Sequence, residues 1–133
     1  MGLYGALVVS GGSYPAVAAE QVLVFSEIDP ALNASPATFK GARVSNWNPQ
    51  YFLVNGATYD PLNPPIPIGS TGQDALLRFV NAGLETFVPT LGGGLYMDVI
   101  AEDGNLYPYP LRQYGIELQA GKTYDAIVYV NTG

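Results

Sequence analysis

The sequence predicts an all-β domain, a sandwich of seven or eight short strands. Three observations carry that expectation. Sixteen glycines and eleven prolines break the chain into short apolar runs. Turn signals recur between those runs, among them Ser10-Gly11-Gly12-Ser13, Asn55-Gly56 and Asp103-Gly104. The helical template of apolar residues at i, i+3 and i+4 is sustained nowhere, apart from a short turn around Ala31–Ala34.

Each element follows from its residues. LYGALVV (3–9) is expected as the first strand, stopped by the Ser10–Ser13 turn. QVLVFSEI (21–28) alternates Val22, Val24 and Ser26 with Leu23, Phe25 and Glu27, and two largely apolar faces suit a strand inside a sandwich. Residues 29–50 read as loop, since Pro30, Asn33, Ser35, Pro36, Gly41 and Pro49 leave no room for a long strand. YFLVNG (51–56) is a strand running into Asn55-Gly56, the preferred pair for a type I′ turn. DPLNPPIPIGSTG (60–72) is proline-rich and extended, with Ile66 and Ile68 on one face. DALLRFVNAG (74–83) alternates Ala75, Leu77 and Phe79 with a second set that includes Arg78. LYMDVIAEDGN (95–105) is a strand ending at Asp103-Gly104, and YGIELQAGKTYDAIVYV (114–130) is strand, Ala-Gly turn, strand.

Composition narrows the function. A chain of 133 residues, 48% hydrophobic and 12% charged, forms one domain, 1–133, with a real core. The net charge of -6 and five scattered cations make nucleic acid and anionic membrane poor partners. No apolar run reaches the roughly 20 residues of a membrane helix, and MGLYGALVV lacks the basic start of a signal peptide. The chain has no cysteine and no histidine. That excludes disulfides, thiol nucleophiles, thiolate metal sites, imidazole general bases and imidazole metal ligands.

The remaining motifs each have a plain structural reading. Gly69-Ser70-Thr71-Gly72 and Gly92-Gly93-Gly94 lack the Lys-Ser/Thr of a phosphate loop and open no helix, so they read as turns. A serine–lysine dyad would need Lys40 or Lys122, and Lys122 follows a turn glycine, where a solvated lysine is ordinary. The acid pairs Glu27/Asp29 and Glu102/Asp103 suggest carboxylate catalysis or a calcium site. The adjacent Glu102 and Asp103 would point to opposite faces of a strand, however, and an acid beside a turn glycine is expected for turn geometry alone. Ten tyrosines and one tryptophan raise a binding reading. Trp47 with Tyr51, and Tyr107 with Tyr109, are candidate aromatic loops for carbohydrate or proline-rich peptide. The alternative is that tyrosines suit half-buried strands. Asn33-Ala34-Ser35 is a glycosylation sequon, relevant only in a eukaryotic secretory setting.

Taken in order, YFLVNG, PIPIGSTGQDALLRFVNAG, LYMDVIAEDGNLYPYP and IELQAGKTYDAIVYV resemble the cupredoxin domains of multicopper oxidases. That family has an "NG" hairpin, an "NAG" strand, a "DG" turn and a "GK-YD" closing hairpin in the same order. The resemblance runs from Met1 to Val130 and implies a cupredoxin-like Greek-key β-sandwich. It places Leu76, Leu77 and Phe79 in the core, and sets Asp125 to hydrogen-bond loop backbone or pair with a cation such as Arg78. MGLYGALVV followed by VLVFSEIDPALN is similar to the junction between a first and a second domain. Residues 1–13 are therefore expected as the last strand of a preceding domain, reused at the sheet edge within the chain or exchanged between chains in a homo-oligomer.

Copper-bearing members carry His-X-His after the "NAG" strand and a His-Cys-His cluster near the end. Here that loop reads FVPTLGGGLYM, with Thr90 and Gly92 where the pair would fall, and the chain stops at Gly133 before any such cluster. The resemblance therefore points to the copper-free middle domain of a three-domain oxidase. It implies no cofactor, no metal, no catalytic residue, and flanking copper-binding cupredoxin domains as partners. The parent family works outside the cytoplasm, in extracellular or periplasmic space. The expected role is that of a structural domain, isolated or engineered as a stand-alone scaffold. A ligand-binding module is the alternative, and a carboxylate enzyme or metal site the third reading.

Overall fold

In the computed structural model, the described residues are 3–9, 11, 13–36 and 47–130. Seven strands and one short helix follow in order: β1 (Ala19–Ile28), α1 (Pro30–Ala34), β2 (Tyr51–Val54), β3 (Ala57–Thr58), β4 (Asp74–Asn81), β5 (Met97–Glu102), β6 (Asn105–Gln113) and β7 (Thr123–Tyr129). The strands form one sheet in the order β3-β2-β1-β4-β7-β5-β6. β1 and β4 are parallel, with Leu23 opposite Phe79. The other strand pairs are antiparallel. A parallel pair cannot be joined by a hairpin, so the chain from β1 must leave through α1 and the β2–β3 hairpin before β4 returns beside it.

Local chemistry fixes the turns. Asn55 and Gly56 have φ of 52° and 81°, and Asp103 and Gly104 have 48° and 78°. Both pairs meet the positive-φ requirement of the tight hairpin turn. Asp29 caps α1 by accepting from the amides of Ala31 (2.8 Å) and Leu32 (3.3 Å), and its other oxygen accepts from Asn48 N (3.1 Å). These bonds, the one from Asn48 foremost, hold its carboxyl below the ordinary range.

The core lies on the face of β1, β4, β5 and β7 that carries Leu23, Leu77, Phe79, Met97, Val99, Ala126 and Val128. Ile116 and Leu118 close it from the opposite side. They come from a short strip in which residues 87–90 meet 115–118 through bridges Phe87↔Leu118 and Thr90↔Gly115. Gly115 permits that approach, since a Cβ there would stand 3.1 Å from Thr90 Cγ2. Leu77 and Phe79 are at most 1% exposed, as the alternation of β4 implied, and Leu76, on the opposite face with Arg78, is also buried at 2%.

Three expectations need correction. Residues 3–9, expected as the first strand, join no ladder and are exposed. They lie across the outward face of the sheet, where the Tyr4 and Ser26 hydroxyls share a hydrogen bond. Their apolar residues mimic a strand, yet the segment makes contact through side chains. Residues 114–118 contribute single bridges in place of a full strand. Tyr107 and Tyr109, read as loop residues, belong to β6, an edge strand in which Pro108 and Pro110 need no ladder partner. The short turn expected around Ala31–Ala34 is α1. Much of the loop at 29–50 lies outside the described residues.

Candidate functional site

Trp47 and Tyr51 lead into and begin β2, near one end of the strand order, whereas Tyr107 and Tyr109 sit on β6 at the other end. Tyr51 is 52% and Tyr109 82% exposed. No ring contact among the described residues joins one pair to the other. The four side chains are thus not gathered into one platform. Tyr107 is half-buried and donates to Glu102 Oε2 at 2.8 Å. Burial first, and then that bond, push its phenol up to about 12.

A different aromatic group is assembled by the fold. Phe25 of β1 contacts Phe87 with ring centroids 5.3 Å apart, and Phe52 of β2 meets Phe87 edge-on at 6.2 Å. These rings, Val54 and the proline-rich stretch at Pro64, Pro65 and Ile66 line a cleft of about 430 Å³. Its walls are apolar, with Asp60 and Asn63 among its few polar residues. The sequence reading missed this cleft. Phe25, Phe52 and Phe87 are far apart in the chain, and only the β1–β2 pairing and the 87–90 strip bring them together.

Charged side chains gather in two clusters. On the outward face, Arg78 donates to Glu20 Oε1 (2.6 Å) and Asp125 Oδ2 (3.2 Å), and its guanidinium lies 4.8 Å from the centre of the Tyr14 ring. Tyr14 donates to the same Asp125 oxygen at 2.5 Å. The expected Arg78–Asp125 pairing is therefore present, with Tyr14 as a partner the sequence did not signal. A cavity of about 390 Å³ lies between this cluster and residues 6–9 of the N-terminal segment.

The second cluster corrects another expectation. Lys122 is not merely solvated, because its ammonium donates to Glu102 Oε1 (2.5 Å) and Asp103 Oδ2 (2.7 Å). The adjacent acids converge because Asp103 has left the strand for a positive-φ turn, where the alternation rule no longer applies. Hydrogen bonds from Lys122 hold both carboxyls below the usual range, and the two acids raise the lysine in turn. A neutralised cluster of this kind is ill suited to acid–base work. Glu27 and Asp29 are likewise separately engaged, Glu27 Oε1 accepting from Leu84 N at 2.5 Å and Glu85 N at 3.3 Å.

The family model for multicopper oxidase matches residues 28–132. The chain belongs to the multicopper oxidase family. Solved structures agree on the fold. The multicopper oxidase mgLAC aligns with a TM-score of 0.71 at 23% identity, covering 87% of this chain and 35% of that one. The blue copper oxidase from Nitrosomonas europaea gives 0.70 at 18%, covering 90% and 37%. Fet3p, a multicopper oxidase that functions in iron import, gives 0.68 at 18%, covering 95% and 24%. The chain thus spans between about a quarter and two-fifths of the length of these oxidases. No curated relative matches it.

Membership in a copper family makes the fit of copper a direct test. Type 1 copper takes two His and one Cys, often with an axial Met. The chain has neither His nor Cys. Met97 is fully buried in the core. Thr90 is bridged to Gly115, and Gly92 lies in the turn beyond it. Among the described residues no group of three or more His, Cys, Asp or Glu side chains could hold a metal ion. The residues present do not fit a copper centre.

Proposed function

We propose that the chain is a copper-free, non-catalytic structural domain of a multicopper oxidase, packing against and spacing flanking copper-binding cupredoxin domains. The observation that carries this reading is the donor chemistry: a family fold with no His and no Cys in its sequence. A contiguous core of fully buried side chains from β4, β5, β7 and the 115–118 strip supports a domain able to stand by itself, isolated or engineered as a scaffold. Leu84 and Val88, both exposed along the loop between β4 and β5, offer apolar surface for a neighbouring domain.

Copper loading tests the reading. After incubation with Cu(I) and Cu(II) and removal of free metal, the chain is expected to retain substoichiometric copper and to show no blue absorption band and no phenol oxidation. One tightly held copper per chain would overturn it.

The 430 Å³ cleft favours a second reading, a small apolar ligand in the Phe25–Phe52–Phe87 pocket. Pockets of about 300–1,000 Å³ with apolar walls and few polar groups are the usual form of small-molecule sites. The carbohydrate version of this reading, on Trp47 and Tyr51, is tested by titrating tryptophan fluorescence with oligosaccharides. A saturable shift supports binding at Trp47.

A further inference from the structure

We propose that Tyr96 and Tyr114 form an intramolecular dityrosine cross-link site, an oxidisable clamp across the open end of the β5–β6 hairpin. Tyr96 directly precedes β5 and Tyr114 directly follows β6. The last register pair is Met97↔Gln113, so the two tyrosines are the next opposed pair. Opposed residues of antiparallel strands hold their Cβ atoms about 4.5–5.5 Å apart. The ring centroids are 3.9 Å apart with an interplanar angle of 37°. That is closer than the roughly 4.5–7 Å of ordinary aromatic pairs.

Two positions along the same strands, beyond Met97↔Gln113, the pair Asp98↔Arg112 holds the hairpin through two guanidinium–carboxylate bonds of 2.8 Å. The tyrosines are 47% and 53% exposed, so a soluble oxidant reaches both while the strands keep the rings together. Exposure alone does not single them out. Tyr59 is 89% and Tyr109 82% exposed, and neither has a ring partner among the described residues. What distinguishes this pair is the second phenol in contact. The contact with Tyr96 first, and then burial, raise the Tyr114 phenol above its ordinary value.

The chemistry balances with a one-electron oxidant as co-reactant. Two oxidising equivalents take one electron from each phenol, and each O–H proton passes to water. The two phenoxyl radicals carry spin on the ring carbons ortho to oxygen, and one ortho carbon of each ring joins the other. The two hydrogens on the newly bonded carbons leave as protons while the two oxygens regain protons. The net change is one new C–C bond, two ring C–H bonds broken, and two electrons and two protons lost. The product closes the chain between residues 96 and 114, which restricts the unfolded ensemble as any loop-closing link does.

The test uses dilute protein pulsed with visible light in the presence of tris-bipyridyl ruthenium(II), with persulfate as terminal electron acceptor. The expected product is a monomer lighter by two hydrogens, with dityrosine fluorescence, a peptide map joining Tyr96 to Tyr114, and a raised thermal midpoint. Tyr96→Phe and Tyr114→Phe each keep a ring at the stack, so they are expected to fold as before by circular dichroism and to lose the fluorescence. Cross-links mainly through Tyr59 or Tyr109, cross-links between molecules, ring hydroxylation without coupling, or undiminished fluorescence in either variant would each overturn the proposal.

Discussion

Arg78 shows how much a single side chain can depend on its neighbours. On a central strand, flanked in sequence by Leu77 and Phe79, it would be a costly intrusion if unpaired. Its side chain is 13% exposed and is compensated by Glu20, Asp125 and the face of Tyr14. The alternation of β4 announced that Arg78 points away from the core, and the KTYD stretch suggested Asp125 as partner. Glu20 and Tyr14 were not legible, because a parallel β1–β4 register and a returning N-terminal segment decide who stands beside the guanidinium. Replacing Arg78 by Met is expected to cost about 2–3 kcal/mol, below the roughly 3–5 of a fully buried pair because Glu20 remains 40% exposed to water. Urea unfolding of Arg78→Met, Asp125→Ala and the double variant checks this. A non-additive cycle is expected, because the two groups are in contact.

At the scale of elements, the β5–β6 hairpin is tied to the start of β7 by Lys122. Glu102 ends β5, Asp103 makes the turn, and Thr123 N donates to Asp103 Oδ1 at 3.0 Å. Asp98, Glu102 and Asp103 all have carboxyls lowered by their cationic partners. A lowered carboxyl contributes stability that is present above its ordinary value, 3.8 for Asp and 4.5 for Glu, and is lost as pH falls through the folded value. The unfolding midpoint is therefore expected to hold steady near neutrality and to drop below about pH 4.5. Lys122→Met should shrink that acid-side drop and speed amide exchange at Asp103 and Thr123. A midpoint unchanged between pH 7 and pH 3 would contradict the lock. The hairpin turn was legible from Asp103-Gly104, but β6 was not. Its prolines read as loop, and only pairing with β5 on one side shows that an edge strand tolerates them.

At the scale of the molecule, both ends of the sheet resist growth. β3 has two residues, and β6 carries Pro108 and Pro110. Exchange of an edge strand between chains therefore has little to pair with. The outward face of β1, β4 and β7 is the more vulnerable surface, since the N-terminal segment lies over Val22, Arg78, Val80 and Asp125 without a ladder. Removing residues 1–13 is expected to lower the thermal midpoint and to produce concentration-dependent association in light scattering. A truncated chain that stays monomeric and equally stable would show that the segment covers nothing of consequence.

What the sequence determined by itself is the local and the compositional: strand periods, the Asn55-Gly56 and Asp103-Gly104 turns, the core face of β4, and the lack of copper ligands. These depend on near neighbours in the chain or on which atoms exist at all. That residues 3–9 lie over a face, that Phe25, Phe52 and Phe87 enclose a cleft, and that Tyr96 and Tyr114 stack came from the folded arrangement of the chain. Each of those rests on contact between segments distant in sequence. Such contacts are selected by the packing of the whole sheet, and no periodicity within one segment carries them.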